Sequence, residues 1–525
     1  MVRCSARALL GPATVLTALA LLPACGLISV VGVSGRVVDR ETGQPIEGAV
    51  ASLWRTARCG SFHAYSRRLP PAEVRTDAAG RFSVGRGRTA TTAPCLSTGW
   101  SRTLGILAPG YVAESFSQDD PWLKVDTGDD FRLLKQPVAL ERVRYALEAR
   151  SEIESFELMT APGRLRFPEA WADPLPGPAW EEAIARLASA RARPLDRVGV
   201  FVRQPGAIFD QIVVVDLLRD GRARPRPLVL ARDRRTGTVR GFTERGEPIS
   251  VPLPAPGFSL VGASTRLAVP LLEKDSSLYY PAELDFAAPL NGLVEQGWTR
   301  VAIRGGVRAV VAHYFRWIVL EADGSAITQY KVTEQYDPSA KSRLKMLLSE
   351  GARRSAADVV AEGQSSIECL AQTPFGDSIA IAARTAQGRA FFRLSWDRLE
   401  QGERWAGPIK AEAVPLGSEI IACAESGLAM YVSLRDHGVV RLSYSTREPD
   451  VPARSRFPAT SRAVLEGSST GARNFTGLAA GTQSHPGVLY AVAGDDAIYR
   501  FSATGEPDQR VDLDVGTAGA AAPVR

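Results

Sequence analysis

Apolar and polar residues change places in short runs along most of this chain. Phe82 and Val84 alternate with Arg81 and Ser83 just after Asp77–Gly80, a period of two that turns one face of a strand inward and the other to water. Val33–Val38 likewise runs into Glu41-Thr42-Gly43, and Ala49–Leu53 follows Glu47-Gly48. Residues 26–142 therefore read as a meander of short strands separated by turn residues. The pattern changes over 143–200. Trp180, Ile184 and Leu187 fall on one helical face, with Glu181 and Glu182 in the first turn and Pro194 as the stop, which predicts a short helix. The two carboxylates are read as favouring the positive end of that helix rather than as an acid/base pair.

From Val198 onward strand follows strand. Residues 308–330, 368–396, 419–445 and 475–506 repeat one order: apolar strand, loop, second apolar strand, tight turn, third strand. The turns centre on Gly324, Gly388, Gly438 and Asp495, which are 64, 50 and 57 residues apart. A helix-prone insert between Ser339 and Glu362 accounts for the longest interval. Repeats near this length predict a ring of small sheets, which hides strand edges without closing one barrel. A pair of β-sandwiches is the competing arrangement. The expected fold is all-β: an N-terminal β-sandwich over 26–142, a helical connector over 143–200, a β-propeller-like domain over 201–513 and a disordered tail over 514–525.

Composition adds location. The chain has 525 residues, 45% apolar and 23% charged, with a formal charge of +6. Arg3 and Arg7 precede an uncharged apolar run, Ala8–Leu22, which ends at Pro23, Ala24 and Cys25. A positive start, an apolar stretch and a small residue at its end are the parts of a secretory leader. Leu22-Pro23-Ala24-Cys25 resembles the cleavage and lipidation motif of bacterial lipoproteins, which implies residues 1–25 as signal peptide and Cys25 as the residue that carries acyl chains. The alternative is an uncleaved anchor helix over Ala8–Val33, interrupted by Gly11, Pro12, Pro23 and Gly26. Without the two leader arginines the charge falls from +6 to +4, too small a bias to suggest nucleic acid.

A second resemblance rests on three pieces in order. They are Gly35–Ala49 with Asp39, Thr42-Gly43, Pro45 and Gly48, then Thr76-Asp77 with Gly80-Arg81-Phe82, then Ala108-Pro109-Gly110-Tyr111. Residues 33–142 resemble carboxypeptidase regulatory-like domains, which implies a transthyretin-like β-sandwich and a non-catalytic accessory role. A zinc carboxypeptidase would need a histidine with glutamate three residues on. None of His63, His313, His437 or His485 has one, and there is no HExxH, so no metal site is expected.

With Cys4 in the leader and Cys25 lipidated, Cys59, Cys95, Cys369 and Cys423 remain, an even number suited to an oxidising compartment. Cys59 is expected to pair with Cys95. Cys369 and Cys423 fall in matching strands of neighbouring repeats, as a bridge or as two small buried residues. Arg222, Arg224, Arg226, Arg232, Arg234 and Arg235 crowd one stretch, a candidate site for acidic groups; a solvated basic face is the simpler reading. Asp119, Asp120, Asp126, Asp129 and Asp130 lack EF-hand spacing and read as an acidic loop. The Gly467–Gly471 string around Ser469 lacks the strand and helix of a nucleophile elbow. The 231–237 string is read as a β-turn, and the single Trp396-Asp397 carries no weight.

No catalytic residues and no cofactor are expected. The functional expectation is a cell-envelope lipoprotein, exported and lipid-anchored, acting as a non-catalytic binding or scaffolding protein for an envelope protein or glycan. The alternative is a propeller enzyme, a hydrolase or lyase acting on glycans.

Overall fold

The computed structural model describes residues 26–30, 33–59, 65–84, 87–91, 97–108, 110–117, 137–144, 191–194, 199–217, 226–254, 256–264, 269–285, 297–313, 316–336, 343–360, 365–372, 378–386, 388–395, 419–426, 429–436, 438–443, 460–465, 474–481, 487–502 and 509–512. These fall into two compact units that divide between Glu141 and Arg142.

The first unit holds β1 (Gly26–Val30), β2 (Val33–Asp39), β3 (Val50–Cys59), β4 (Tyr65–Arg75), β5 (Arg81–Val84), β6 (Gly87–Thr91), β7 (Ser97–Leu107), β8 (Glu114–Ser117) and β9 (Val138–Leu140). They form sheets in the orders β5-β2-β9 and β4-β3-β7-β8, with β1 paired to β6. Val37, Leu53, Phe82, Leu104 and Ile106 are buried. On β5 the burial alternates residue by residue, as the period of two requires. The turn residues pin this unit. Asp39 accepts the N–H groups of Glu41 and Thr42 through Oδ1 and the Tyr111 hydroxyl through Oδ2, at 2.9, 3.0 and 2.8 Å. Thr76 Oγ1 donates to the Ile46 carbonyl at 2.6 Å and accepts the Ala49 N–H at 2.9 Å. Asp39, Thr42, Thr76 and Tyr111 are thus turn-binding groups.

The second unit begins with β10 (Arg191–Pro194) and β11 (Val200–Arg203). Six antiparallel meanders follow among the described residues, numbered here as sheets, the second and third being joined into one nine-stranded sheet. Sheet 1 is β12 (Phe209–Leu217), β13 (Arg226–Asp233), β14 (Thr238–Thr243) and β15 (Pro248–Ile249). Sheet 2 takes β16 (Ser259–Ser264), β17 (Val269–Lys274), β18 (Ser277–Pro281) and, beyond β19 (Glu283–Asp285), β20 (Trp298–Ala302). Sheet 3 is β21 (Ala309–His313), β22 (Arg316–Leu320), β23 (Ala326–Tyr336) and β24 (Arg343–Ser355), with β19 on its outer edge, and helix α1 (Ala356–Val360) follows it. Sheet 4 is β25 (Ser366–Gln372), β26 (Ser378–Thr385) and β27 (Gly388–Ser395), and sheet 5 is β28 (Ile420–Ser426), β29 (Ala429–Leu434), β30 (Gly438–Ser443) and β31 (Thr460–Leu465). Sheet 6 joins β32 (Gly477–Ala480), β33 (Val488–Val492) and β34 (Ala497–Ser502) to β11 from the start of the unit. A final strand, β35 (Gln509–Asp512), pairs with β10.

The first strand of each sheet touches the first strand of the next. β12 meets β16, then β21, β25, β28 and β32 follow in turn, and β32 meets β12 again. That closed circuit of antiparallel meanders is the arrangement of a six-bladed β-propeller, and it excludes a pair of sandwiches. Between blades 2 and 3 the inner strands also hydrogen-bond in parallel, Gly262 opposite Val310. A Cβ at Gly262 would stand 2.1 Å from the Val310 carbonyl oxygen, so only glycine permits the approach. In the sixth sheet the middle strands are buried continuously. β33 and β34 are buried at every position, as expected for strands with two covered faces.

A repeated clasp ties blade to blade. The turn between the second and third strands of one blade accepts a hydrogen bond from the chain entering the next. Gly257 N–H donates to Gly237, Ile303 to Ser276, Ile367 to Gly324 and Phe209 to Asp495, at 2.7, 3.0, 2.8 and 2.8 Å. At the seam between blades 5 and 6 the Asn474 side chain takes this part, accepting from Asp436 N–H and donating to its carboxylate, at 2.6 and 3.1 Å.

Two sequence expectations fail. Residues 343–355 of the helix-prone insert form a strand of 13 residues, and only Ala356–Val360 are helical. Leu344 and Met346 are buried between exposed Arg343, Lys345 and Leu347. Pairing with β23 overrides helical composition. Arg191–Pro194, expected to end the connector helix, are strand paired with Gln509–Asp512; residues 145–190 and the tail 513–525 lie outside the described residues.

Candidate functional site

The arginine-rich stretch is drawn apart by the fold. Arg222 and Arg224 lie outside the described residues. Arg226 is buried with its guanidinium 3.7 Å from buried Glu244. Arg232 is held at the seam of blades 1 and 2: Nη1 donates to Gln211 Oε1 and Ser259 Oγ at 3.1 and 2.7 Å, and Nη2 to Asp210 at 3.2 Å. Gln211 Oε1 also accepts the Leu260 N–H. Burial pushes the Asp210 carboxyl up, against the pull of Arg232 and Arg234. Arg226 and Arg232 are therefore structural cations. Each faces a carboxylate of this chain, Glu244 for Arg226 and Asp210 for Arg232.

Arg234 and Arg235 differ. They occupy the turn between β13 and β14 and are exposed. That turn is organised by Asp233, whose Oδ1 accepts the N–H groups of Ile208 and Arg235, each at 3.1 Å, while Oδ2 takes Nη2 of Arg240 at 2.9 Å. Burial alone would raise the Asp233 carboxyl, but these hydrogen bonds outweigh it and hold the group below the usual carboxylate range. Gly237 closes the turn at φ 66°, with Gly257 so near that a Cβ would lie 3.2 Å from its nitrogen.

Arg240 also donates to Gln204 Oε1 through Nη1, and Arg235 Nη1 reaches the Gly206 carbonyl at 3.2 Å. Arg235, the Gln204–Gly206 loop and Arg240 thus form one contiguous bank. A groove of about 410 Å³ is lined by Gln204 and Arg240 together with Val239, Ile249, Ser250 and Val251. Arg240 and Gln204 were not singled out by the sequence. The register that opposes Ala231 to Arg240 is the signal that would have found Arg240, because it sets that residue beside the Asp233 turn.

A second feature sits at the seam of blades 4 and 5. Cys369 and Cys423 are joined as a disulfide with Cα atoms 6.3 Å apart, in a core with Ala380, Ala382, Ile420 and Val432. Cys59 ends β3, and Cys95 lies outside the described residues, as do Cys25, Glu181, Glu182, the acidic loop 119–130, Trp396-Asp397 and Ser469. Among the described residues no three His, Cys, Asp or Glu side chains are grouped to hold a metal ion. No helix among them is long and apolar enough to cross a membrane.

No protein-family model matches this chain, and no curated protein matches it in sequence. Solved structures with some likeness include the β-propeller domain of Myceliophteria thermophila Cps50 (Swd1), at 9% identity over 62% of this chain and 89% of that one, with a TM-score of 0.34. YCF48 bound to D1 peptide shows 14% identity over 63% and 89%, with a TM-score of 0.32. Human WBSCR16 shows 12% identity over 52% and 74%, with a TM-score of 0.30.

Proposed function

We propose that this chain is a cell-envelope lipoprotein, tethered by acyl chains on Cys25, whose propeller unit is a scaffold that binds a protein partner. In this reading the N-terminal unit is a carboxypeptidase regulatory-like sandwich with a non-catalytic accessory role. The leader, the Leu22–Cys25 motif and a disulfide between blades 4 and 5 support export to a compartment where thiols oxidise. Several acyl chains on one cysteine hold a protein durably, each buried methylene contributing about 0.8 kcal/mol.

The observation that carries the binding role is the open groove on blade 1, set on a clasped, ring-closed body. A rigid frame lowers the entropy lost when a surface is engaged. The test places a photo-cross-linking amino acid at exposed Ser250 of the full chain in its own envelope, with a second copy at exposed Arg308 as control. A discrete protein adduct from position 250 and none from 308 is the expected result, together with lipid mass on the N-terminal Cys25 peptide. An unmodified N-terminus in a cytosolic fraction would overturn the envelope reading. Equal labelling from both positions would overturn the binding one.

A further inference from the structure

Resting on the lipoprotein reading just proposed, we infer that the end of the N-terminal unit nearest Cys25 is a second membrane contact, an arginine-rich surface that takes the anionic headgroups of the bilayer holding the acyl chains. Topology fixes which end that is. The turns 40–49 and 76–80 meet each other, Gly48 N–H donating to the Thr76 carbonyl and Thr76 N–H to that of Ala49, at 3.0 and 2.8 Å. β3 leaves these turns and runs to Cys59, where Tyr65 of β4 and Ser97 of β7 oppose it. Cys59, Tyr65 and Ser97 therefore mark the opposite end.

The N-terminus arrives at that same end. β5 starts from the turns and pairs with β2, Val84 opposite Val33. After two residues on either strand, Gly87 of β6 opposes Val30 of β1 with no change of register, so β1 and β6 prolong this ribbon away from the turns. It finishes with Gly26 opposite Thr91. Cys25 precedes Gly26 in sequence, so acyl chains on it bring this end, and not the turns, against the headgroups.

Charge divides along the same axis. Arg55 and Arg58 of β3, Arg67 and Arg68 of β4, Arg88 of β6 and Arg102 of β7 lie at or beyond the middle of the unit, away from the turns. Arg55 stands opposite Arg102, Ala57 opposite Arg67 and Ser29 opposite Arg88. No Asp or Glu occurs in residues 26–38, 49–72 or 82–107. The turn end is mixed, with Glu41, Glu47 and Asp77 among Arg40, Arg75 and Arg81. Arginine is seldom buried without a carboxylate, and strands that carry six of them and no acid need anions from elsewhere. Lipid phosphates suit the guanidinium fork, and each arginine brought to an anionic leaflet raises the partition about 5-fold. Tyr65 and Trp100, opposite Cys59 and Ala57, are residue types that settle at headgroup level.

The test uses the mature chain from residue 25 with Cys25→Ser, which carries no acyl anchor, floated with vesicles of phosphatidylcholine alone or of phosphatidylcholine and phosphatidylglycerol in equal parts. The expected result is a partition at least about 10-fold higher on the anionic vesicles at low salt, lost at high salt. Arg55→Gln/Arg58→Gln/Arg67→Gln/Arg68→Gln should abolish the preference, and lysine at the same four positions should keep it, which separates charge from misfolding. Arg67→Gln alone should weaken it about 5-fold, whereas Arg81→Gln, at an exposed position of the turn end, should leave it unchanged. Equal partition onto both vesicles, a preference that survives the four glutamines, or equal loss from Arg67→Gln and Arg81→Gln would overturn the surface. So would a preference that appears only once Asp119, Asp120, Asp126, Asp129 and Asp130 are changed to Asn, because this chain's own acidic stretch would then be the partner of the arginines. Lipid mass on the Cys25 peptide is read separately, from the natural chain. If it is absent while the vesicle preference stands, the lipoprotein reading falls and the basic end still binds anionic lipid; if it is present without the preference, only the surface falls.

Discussion

Asp233 shows how one carboxylate can both build a turn and tune its own ionisation. It binds two backbone N–H groups and the Arg240 guanidinium while itself 1% exposed. Its folded value lies below the ordinary one, so the charged form is what the native state favours. The stabilisation is therefore complete above about pH 4, the unfolded value, and is lost as pH falls through the lower folded value. Asp233→Asn keeps the shape and removes the charge. Urea titrations of wild type and variant should differ by about 2 kcal/mol at pH 7, the scale of charged hydrogen bonds, and the gap should close as pH falls below the unfolded value and through the lower folded one. A gap that stays constant down to pH 2.5 would mean that shape, and not ionisation, is what Asp233 contributes.

At the scale of elements, turns were legible from sequence and edges were not. Gly324, Gly438 and Asp495 each stand at the turn between second and third strands, because a tight turn needs residues that accept unusual dihedrals or bind their own backbone. What could not be read was the use made of the turn carbonyls, since a partner in the next blade leaves no trace in local pattern. The structural roles of Arg226 and Arg232, read from sequence as part of an arginine cluster, were invisible for the same reason: their carboxylates, Glu244 and Asp210, come to them through pairing, not through spacing. Leu344 and Met346 misled because leucine, lysine and methionine suit a helix, and pairing with β23 decided otherwise. The clasps give the element-scale prediction. Gly324 has φ 73°, and a Cβ there would fall 2.3 Å from the Ile367 carbonyl oxygen. Gly324→Ala should cost about 2 to 3 kcal/mol through strained dihedrals and a displaced clasp, measured by urea unfolding. Gly43→Ala has positive φ, 68°, but open space around it, so it should cost only about 1 kcal/mol. Equal costs would show that the clasp is incidental to the seam.

For the propeller unit as a whole, the ring is closed by residues from its two ends. β11 pairs with β34, Val202 opposite Ile498 and Arg203 opposite Ala497, so a segment near residue 200 completes a blade made near residue 500. Such closure makes the seams interdependent: opening one lets its neighbours part. The Cys369–Cys423 disulfide spans one of these seams and closes a loop with a sequence separation of 54. In the chain-entropy account a loop of that length removes about 4 kcal/mol of freedom from the unfolded ensemble. The Cys369→Ser/Cys423→Ser variant isolates this bridge, whereas a reductant would also act on any bridge between Cys59 and Cys95. Its urea midpoint should fall by an amount equivalent to about 4 kcal/mol with one cooperative transition for the propeller, because five other seams and β11 still hold the circle. A second, earlier transition reported by hydrogen exchange in blades 4 and 5 would instead make the bridge the element that keeps that seam part of the cooperative unit, and β11 alone would not suffice to close the ring.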